Sequence, residues 1–224
     1  MSWRECEKDF QKPRKLLLIG GGGHCRSILD CLCKQSLYST IGIVEKDSKY
    51  RSILGIPIVG EDADLLKLKN EGWTDAFIAV GSVGDCCLRR QIFDLISKIG
   101  FNIPCIVDST AIIANDVVIA QGVFVGKRAV VNAGSSIGAC SIINTGAIIE
   151  HNCKIGEFSH VSSGVVLCGD VKIGINVHIG AGSAIKQTLT VGDNSVVGLG
   201  SVVVKNIPQN VVAYGNPCIV REKR

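Results

Sequence analysis

The sequence predicts two domains of different class, α/β and then all-β. A small Rossmann-like domain occupies residues 1–106, and a left-handed parallel β-helix of hexapeptide repeats occupies residues 107–224. Three observations carry this reading. From Ile113 to Val197 every sixth residue is Ile, Val or Leu, fifteen positions in succession with no insertion. Between Lys15 and Ile106, apolar runs of four to six residues alternate with amphipathic stretches, the pattern of parallel strands joined by crossover helices. With 46% hydrophobic residues, only 5% aromatic, and 26 glycines, the chain must pack small aliphatic side chains rather than rings.

In chain order, LLLIG reads as the first strand and residues 23–35 as a helix. TIGIVE is a second strand, DADLLKLKN a second helix, FIAVG a third strand and RRQIFDLISKIG a third helix. The first strand-to-helix turn, IGGGGHCRS, is glycine-rich. Its glycines let backbone approach a diphosphate, and the following helix aims its N–H groups and dipole at it. The dinucleotide spacing G-x-G-x-x-G is absent, so NAD is not expected.

In the repeat, three hexapeptides close one triangular coil of eighteen residues, and fifteen hexapeptides make five coils. Fifth positions are mostly small, among them Ala129, Ser135, Ser141, Ala147, Cys153, Ser159, Ser183, Ser195 and Ser201. Glycine recurs at second positions such as Gly138, Gly156, Gly174 and Gly180, where the backbone is expected to turn and a Cβ to crowd it.

A formal charge of +4 without a basic block gives nucleic-acid binding no support. The first fifteen residues have no apolar core segment and no run approaches 18 apolar residues, so neither a leader nor a membrane span is expected, and the protein reads as cytoplasmic. Eleven dispersed cysteines match neither a disulfide framework nor a zinc knuckle and are expected mostly as small buried hydrophobes.

The chain has four histidines. His160 and His178 are eighteen residues apart and should stack on adjacent coils about 4.8 Å apart. His151 holds the third place of its hexapeptide, where a side chain points outward. All three are expected on the outside of the prism, exposed unless a second chain covers them, and a flat-sided prism invites a closed trimer. No two of them are close enough in sequence for a zinc ligand set shared between subunits, so no metal is expected. Acyl transfer suits them better. It needs one neutral imidazole that takes a proton near pH 7 and a cleft between subunits for a long thioester.

These features together resemble the sugar-nucleotide acyltransferases of the sialic-acid and bacillosamine pathways, the NeuD and PglD type. The similarity runs from LLLIGGGGH through VGS and NTGAIIEHNCKIGEFSHVSSGVVLCGDVKIG to VVAYGNP. The resemblance implies an acetyl-CoA-dependent N-acetyltransferase acting on a nucleotide-linked amino sugar, with a 4-amino-4,6-dideoxy sugar favoured, in a homotrimer that holds acetyl-CoA between subunits. It implies His151 as general base, His160 against acetyl-CoA, the Gly169 N–H facing the acetyl oxygen, Ala181 and Leu199 as further cofactor contacts, and Asn144 near the acceptor amine. Gly22, Gly23, His24 and Gly81 match positions that contact the nucleotide sugar. Two departures stand out. Glu45 and Lys46 fill places where the family often has two acidic residues, and Asn152 follows His151 where the bacillosamine enzyme has an acid. O-acetylation of sialic acid or a related sugar, and a non-catalytic β-helical subunit, remain as alternatives.

Overall fold

The computed structural model describes residues 14–33, 35, 37–46 and 49–224; the amino-terminal stretch read above for a leader lies almost wholly outside them. The α/β domain begins with β1 (Lys15–Ile19), α1 (Gly23–Leu32) and β2 (Thr40–Val44). It continues with β3 (Ser52–Ile53), β4 (Ile56–Gly60), α2 (Leu65–Asn70), β5 (Asp75–Ile78) and α3 (Cys87–Ile99). The sheet order is β3-β4-β2-β1-β5, parallel except for β3. β1 therefore has β2 on one side and β5 on the other, and such a reversal of strand order opens a crevice beyond the carboxyl ends of the strands. The β3–β4 hairpin is an addition to the sequence-based reading. Its turn, Leu54-Gly55, has positive φ at both residues (49° and 80°), and a leucine there gives no turn signal.

Beyond Ile106 the chain winds into the β-helix. Its three ladders hold six, five and eight strands, with partners in register at steps of eighteen residues over the repeat. The first face runs from Ile112–Ile113 to Val202–Val203, and the second from Val118–Ile119 to Thr190–Val191. The third runs from Ile106–Val107 to Val196–Val197 and then adds Val211–Tyr214 and Ile219–Lys223. The stack thus extends past the five expected coils at both ends, because Val107 and Val203 keep the phase. First-position aliphatics fill the interior, and Val125, Val131, Ile143, Ile149, Val161, Leu167, Ile179 and Ile185 are fully buried.

Two residue types join coil to coil. The second-position glycines do not carry the positive φ expected of a turn. That conformation falls at fourth positions, for example Arg128, Asn152, Asp170 and Gly164. The second positions are tight for another reason: a Cβ on Gly156 would collide with the carbonyl of Gly174 one coil away. Buried serines at fifth positions stitch the coils. Ser159 Oγ donates to the Gly174 carbonyl at 2.7 Å and accepts from the Val177 N–H at 3.0 Å, and Ser135 and Ser183 repeat this arrangement.

The α/β domain sits on the third face. Cys25, Ile28, Leu29 and Leu32 of α1 share a core with Ile106, Phe124 and Ile142, while Ile92 and Ile96 of α3 pack with Cys140 and Phe158. This corrects the expectation that all three histidines of the repeat lie open to solvent or a second chain. His178 is only 9% exposed. His160 Nδ1 donates to the Ser82 carbonyl at 2.9 Å, and the same loop approaches Val196 at Gly84, so the 82–84 backbone bridges the rungs on either side of His178. Among the described residues no helix is long and apolar enough to cross a membrane, and no group of three His, Cys, Asp or Glu is placed to hold a metal.

Candidate active site

The crevice at the carboxyl ends of β1, β2 and β5 is a cavity of about 580 Å³. It collects Gly22, Gly23, His24 and Gly81, which the resemblance places against the nucleotide sugar, together with Glu45 and Lys46; Asn144, the remaining expected substrate residue, is not in its lining. α1 starts at Gly23 with no side-chain cap, so its first N–H groups remain available at the cavity. Gly20 needs its φ of +104°, and a Cβ there would strike Val80. Glu45 holds the turn from below: its carboxylate accepts the Gly21 N–H at 2.5 Å and the Lys46 N–H at 3.0 Å. Part of its hydrogen-bonding capacity is therefore already committed to the glycine loop. Asp62 and Leu88 also line the cavity and were not singled out in the sequence.

A second cavity of about 300 Å³ lies where the two domains meet, lined by Gly23, His24, Ser27, Gly81, Ser82, Val83, Asn144 and His160. His24 packs edge-on against Phe124 of the third face, ring centroids 5.1 Å apart, and its Nε2 has no partner among the described residues. Burial, reinforced by His160 and Arg89, pushes its pKa down to about 3. His160 and His178 are edge-to-face at 5.0 Å. Burial lowers both; the carbonyl of Ser82 opposes this at His160, while His178 falls to about 4. Because Nδ1 of His160 faces a carbonyl it carries the proton, which leaves Nε2 to accept from the Asn144 amide at 3.3 Å.

His151 stands elsewhere. Its ring lies across Gly169, one coil away, so close that a Cβ at Gly169 would sit 2.5 Å from Cε1 and Nε2. Asn152 Nδ2 is 3.2 Å from His151 Nδ1, and a carboxylate oxygen of Asp170 is 4.0 Å from the same nitrogen. Asp170 supplies the acidic neighbour that Asn152 does not. Its signal is the repeat itself, since 170 is 152 plus one coil of eighteen. Replacing Gly169 with alanine is expected to push the imidazole off its seat. Steady-state kinetics should then show kcat falling ~10-fold or more, as sub-ångström displacement of a reacting group does, with circular dichroism unchanged.

The residues matched to chemistry fall on two edges of the prism. His151, Asn152 and Gly169 occupy the edge between the first and second faces, whereas Asn144, Ala181 and Leu199 occupy the edge between the third and first. Ala181 and Leu199 are exposed there, Leu199 at 82%. His151 thus lies opposite the third face, on which the cavities and the α/β domain sit.

Residues 15–96 match the family model described as the PglD N-terminal domain. Over the whole length the chain is similar to a histidine variant of perosamine N-acetyltransferase from Caulobacter crescentus, solved with CoA and GDP-perosamine. Identity is 31% and the TM-score 0.88, with 93% of this chain and 97% of that one covered. It is equally similar to the acetyltransferase domain of PglB from Neisseria gonorrhoeae bound to acetyl coenzyme A, at 33% identity, TM-score 0.88, and coverage of 94% and 100%. WeeI from Acinetobacter baumannii, at 21% identity and TM-score 0.82, shares the fold. With near-complete coverage of relatives above 30% identity, the chain belongs to the NeuD and PglD type of hexapeptide-repeat sugar acetyltransferases.

Proposed function

We propose that this protein transfers the acetyl group of acetyl-CoA to the amino group of a nucleotide-linked amino sugar, the 4-amino-4,6-dideoxy sugars being the favoured class, and that it does so as a cytoplasmic homotrimer with each active site shared by two chains. The observation that carries the shared site is the separation just described: the nucleotide cavity and His151 lie on opposite sides of one prism. The outward column of the first face is apolar throughout, Ile112, Val130, Ile148, Val166, Ala184 and Val202, with Ile112 66% exposed. The corresponding column of the second face starts with an exposed Val118 and continues with Ser136, Lys154, Lys172 and Thr190, so it turns polar after its first rung. Three first faces gathered about an axis would set the His151 edge of one chain beside the Asn144 edge of the next. The groove between them would hold acetyl-CoA against His160, Ala181 and Leu199, while the α/β domain of that neighbour delivers the sugar.

In the reaction the amine attacks the thioester carbon, and His151 Nε2 takes the proton released as the C–N bond forms. The Gly169 N–H faces the developing oxyanion, and collapse expels the CoA thiolate, which the imidazolium reprotonates. Asp170 near Nδ1 favours a proton on that nitrogen, which leaves Nε2 as the base. Asn152 presents its amide nitrogen to the same ring nitrogen at 3.2 Å, so a proton on Nδ1 requires that amide to turn over and offer its oxygen.

Thiol release from acetyl-CoA, measured against a panel of nucleotide-linked amino sugars and free sialic acid, tests the acceptor. Turnover confined to free sugars would overturn the reading. Trimerisation is tested by Ile148→Glu, which sets a carboxylate in the middle of the first face. Light scattering should show trimers for the parent chain and monomers for the variant, with activity lost in parallel; a fully active monomer would refute the shared site.

A further inference from the structure

Arg89, in the first turn of α3, is 2% exposed and forms no ion pair with a carboxylate among the described residues. One terminal nitrogen donates to the Ser82 hydroxyl and to the Phe158 carbonyl, both at 3.3 Å, and the other donates to the Cys140 carbonyl. Cys140 and Phe158 are the fourth-position residues of adjacent coils on the edge between the second and third faces, both with positive φ. One planar guanidinium therefore grips the β-helix at two successive corners and, with the same fork, the loop that follows β5. That loop is a crossing point. Gly81 lines both cavities, and the Ser82 carbonyl fixes the proton of His160 on Nδ1. Burying an arginine whose acceptors among the described residues are all neutral, with Nε unpartnered among them, is costly, and a Met or Leu would fill the volume more cheaply if packing were all that was needed.

We infer that Arg89 is a positioning residue: by anchoring the loop at Ser82 to the coil corners at Cys140 and Phe158, it sets the tautomer of His160 and the placement of Gly81, and so aligns the nucleotide-sugar cavity with the β-helix. This rests on the proposed acceptor and deepens it. Arg89 lines neither cavity, so its effect passes through Ser82. A lysine has the charge but not the planar fork, and cannot grip both corners and the hydroxyl together.

The test compares Arg89→Met and Arg89→Lys with the parent chain. In long-range proton–nitrogen spectra of the imidazoles, His160 of the parent should show Nδ1 protonated and Nε2 bare. In Arg89→Met it should shift to a mixture of tautomers, with Arg89→Lys between the two. In kinetics, KM for the nucleotide sugar should rise ~10-fold in Arg89→Met and kcat fall, the pattern of a misplaced acceptor, with Arg89→Lys recovering part of both. A purely structural staple would lower the melting temperature and leave the tautomer and kinetics of the folded protein as they were; that result, in either variant, overturns the inference. If Arg89→Met does not fold, Arg89→Lys and Ser82→Ala carry the same two readouts. Because the spectra need no substrate, an error in the acceptor class would show as absent turnover in the parent chain, separate from the answer on Arg89.

Discussion

Replacing His151 with alanine is expected to lower kcat by ~10²- to 10⁴-fold, the usual contribution of a general base, while acetyl-CoA binding persists. Binding should survive because Ala181 and Leu199 lie on the other edge and His160 on the third face beside it, across the first face from the deleted ring, and in the proposed trimer they come from a different chain. Isothermal titration with CoA should give a dissociation constant within about threefold of the parent, a difference under ~0.7 kcal/mol. The loss should shrink at alkaline pH, where the acceptor amine is already deprotonated and needs no protein base. Near-normal turnover of His151→Ala at neutral pH would remove His151 from the chemistry and leave it as a surface group on an edge.

The second large effect concerns acid. His24 and His178 titrate near 3 and 4 in the folded chain, against 6.5 when unfolded. Below pH 6.5 the unfolded chain therefore binds more protons than the folded one, so the stability present above 6.5 is progressively lost as the pH falls towards 4 and 3. For two such groups the loss at pH 4 is on the order of 5 kcal/mol, comparable with the whole stability of many domains. Arg89 lies close enough to lower the pKa of His24, and Arg224 that of His178, so added protons meet positive charge. Denaturant midpoints measured from pH 7.5 to 4 should fall steeply, and His178→Phe, which keeps the buried volume apolar, should flatten the slope. Equal slopes for the two proteins would show that the acid sensitivity comes from ordinary carboxylates instead.

Much of this was legible in the residues. A period of six fixes which side chains face inward, and stacking by eighteen follows, so His160 over His178 and the outward place of His151 could be read directly. What the period cannot say is which face meets what. Phe124, Ile142, His160 and His178 on the third face hold the same sixth position as Ile112, Val130 and Ile148 on the first, and nothing in six-residue counting marks one column for the α/β domain and the other for open surface. That choice depends on α1 and α3, whose apolar stripes select a face only in three dimensions. For the same reason nothing in RRQIFDLISKIG marks Arg89 for burial, and nothing in VGS marks the Ser82 carbonyl for His160. The glycine turn, by contrast, stands out in the sequence because close approach to a backbone demands glycine whatever lies around it, while His24 entered through the resemblance; both line the cavity.

The serine stitches and the close glycines bind each coil only to the one before and the one after. Length and phase are therefore separate properties of this half of the chain. Cutting out residues 173–190 would shorten the prism by one rung and keep the surviving columns aligned, whereas deleting a single residue would move the core aliphatics beyond it off the interior column until the next compensating insertion. His151 and Gly169 inherit that rigidity: their separation is the rise of one rung. The proposed base and the proposed oxyanion amide are thus spaced by the same ruler that builds the wall, which a whole added rung would lengthen and a single inserted residue would slip.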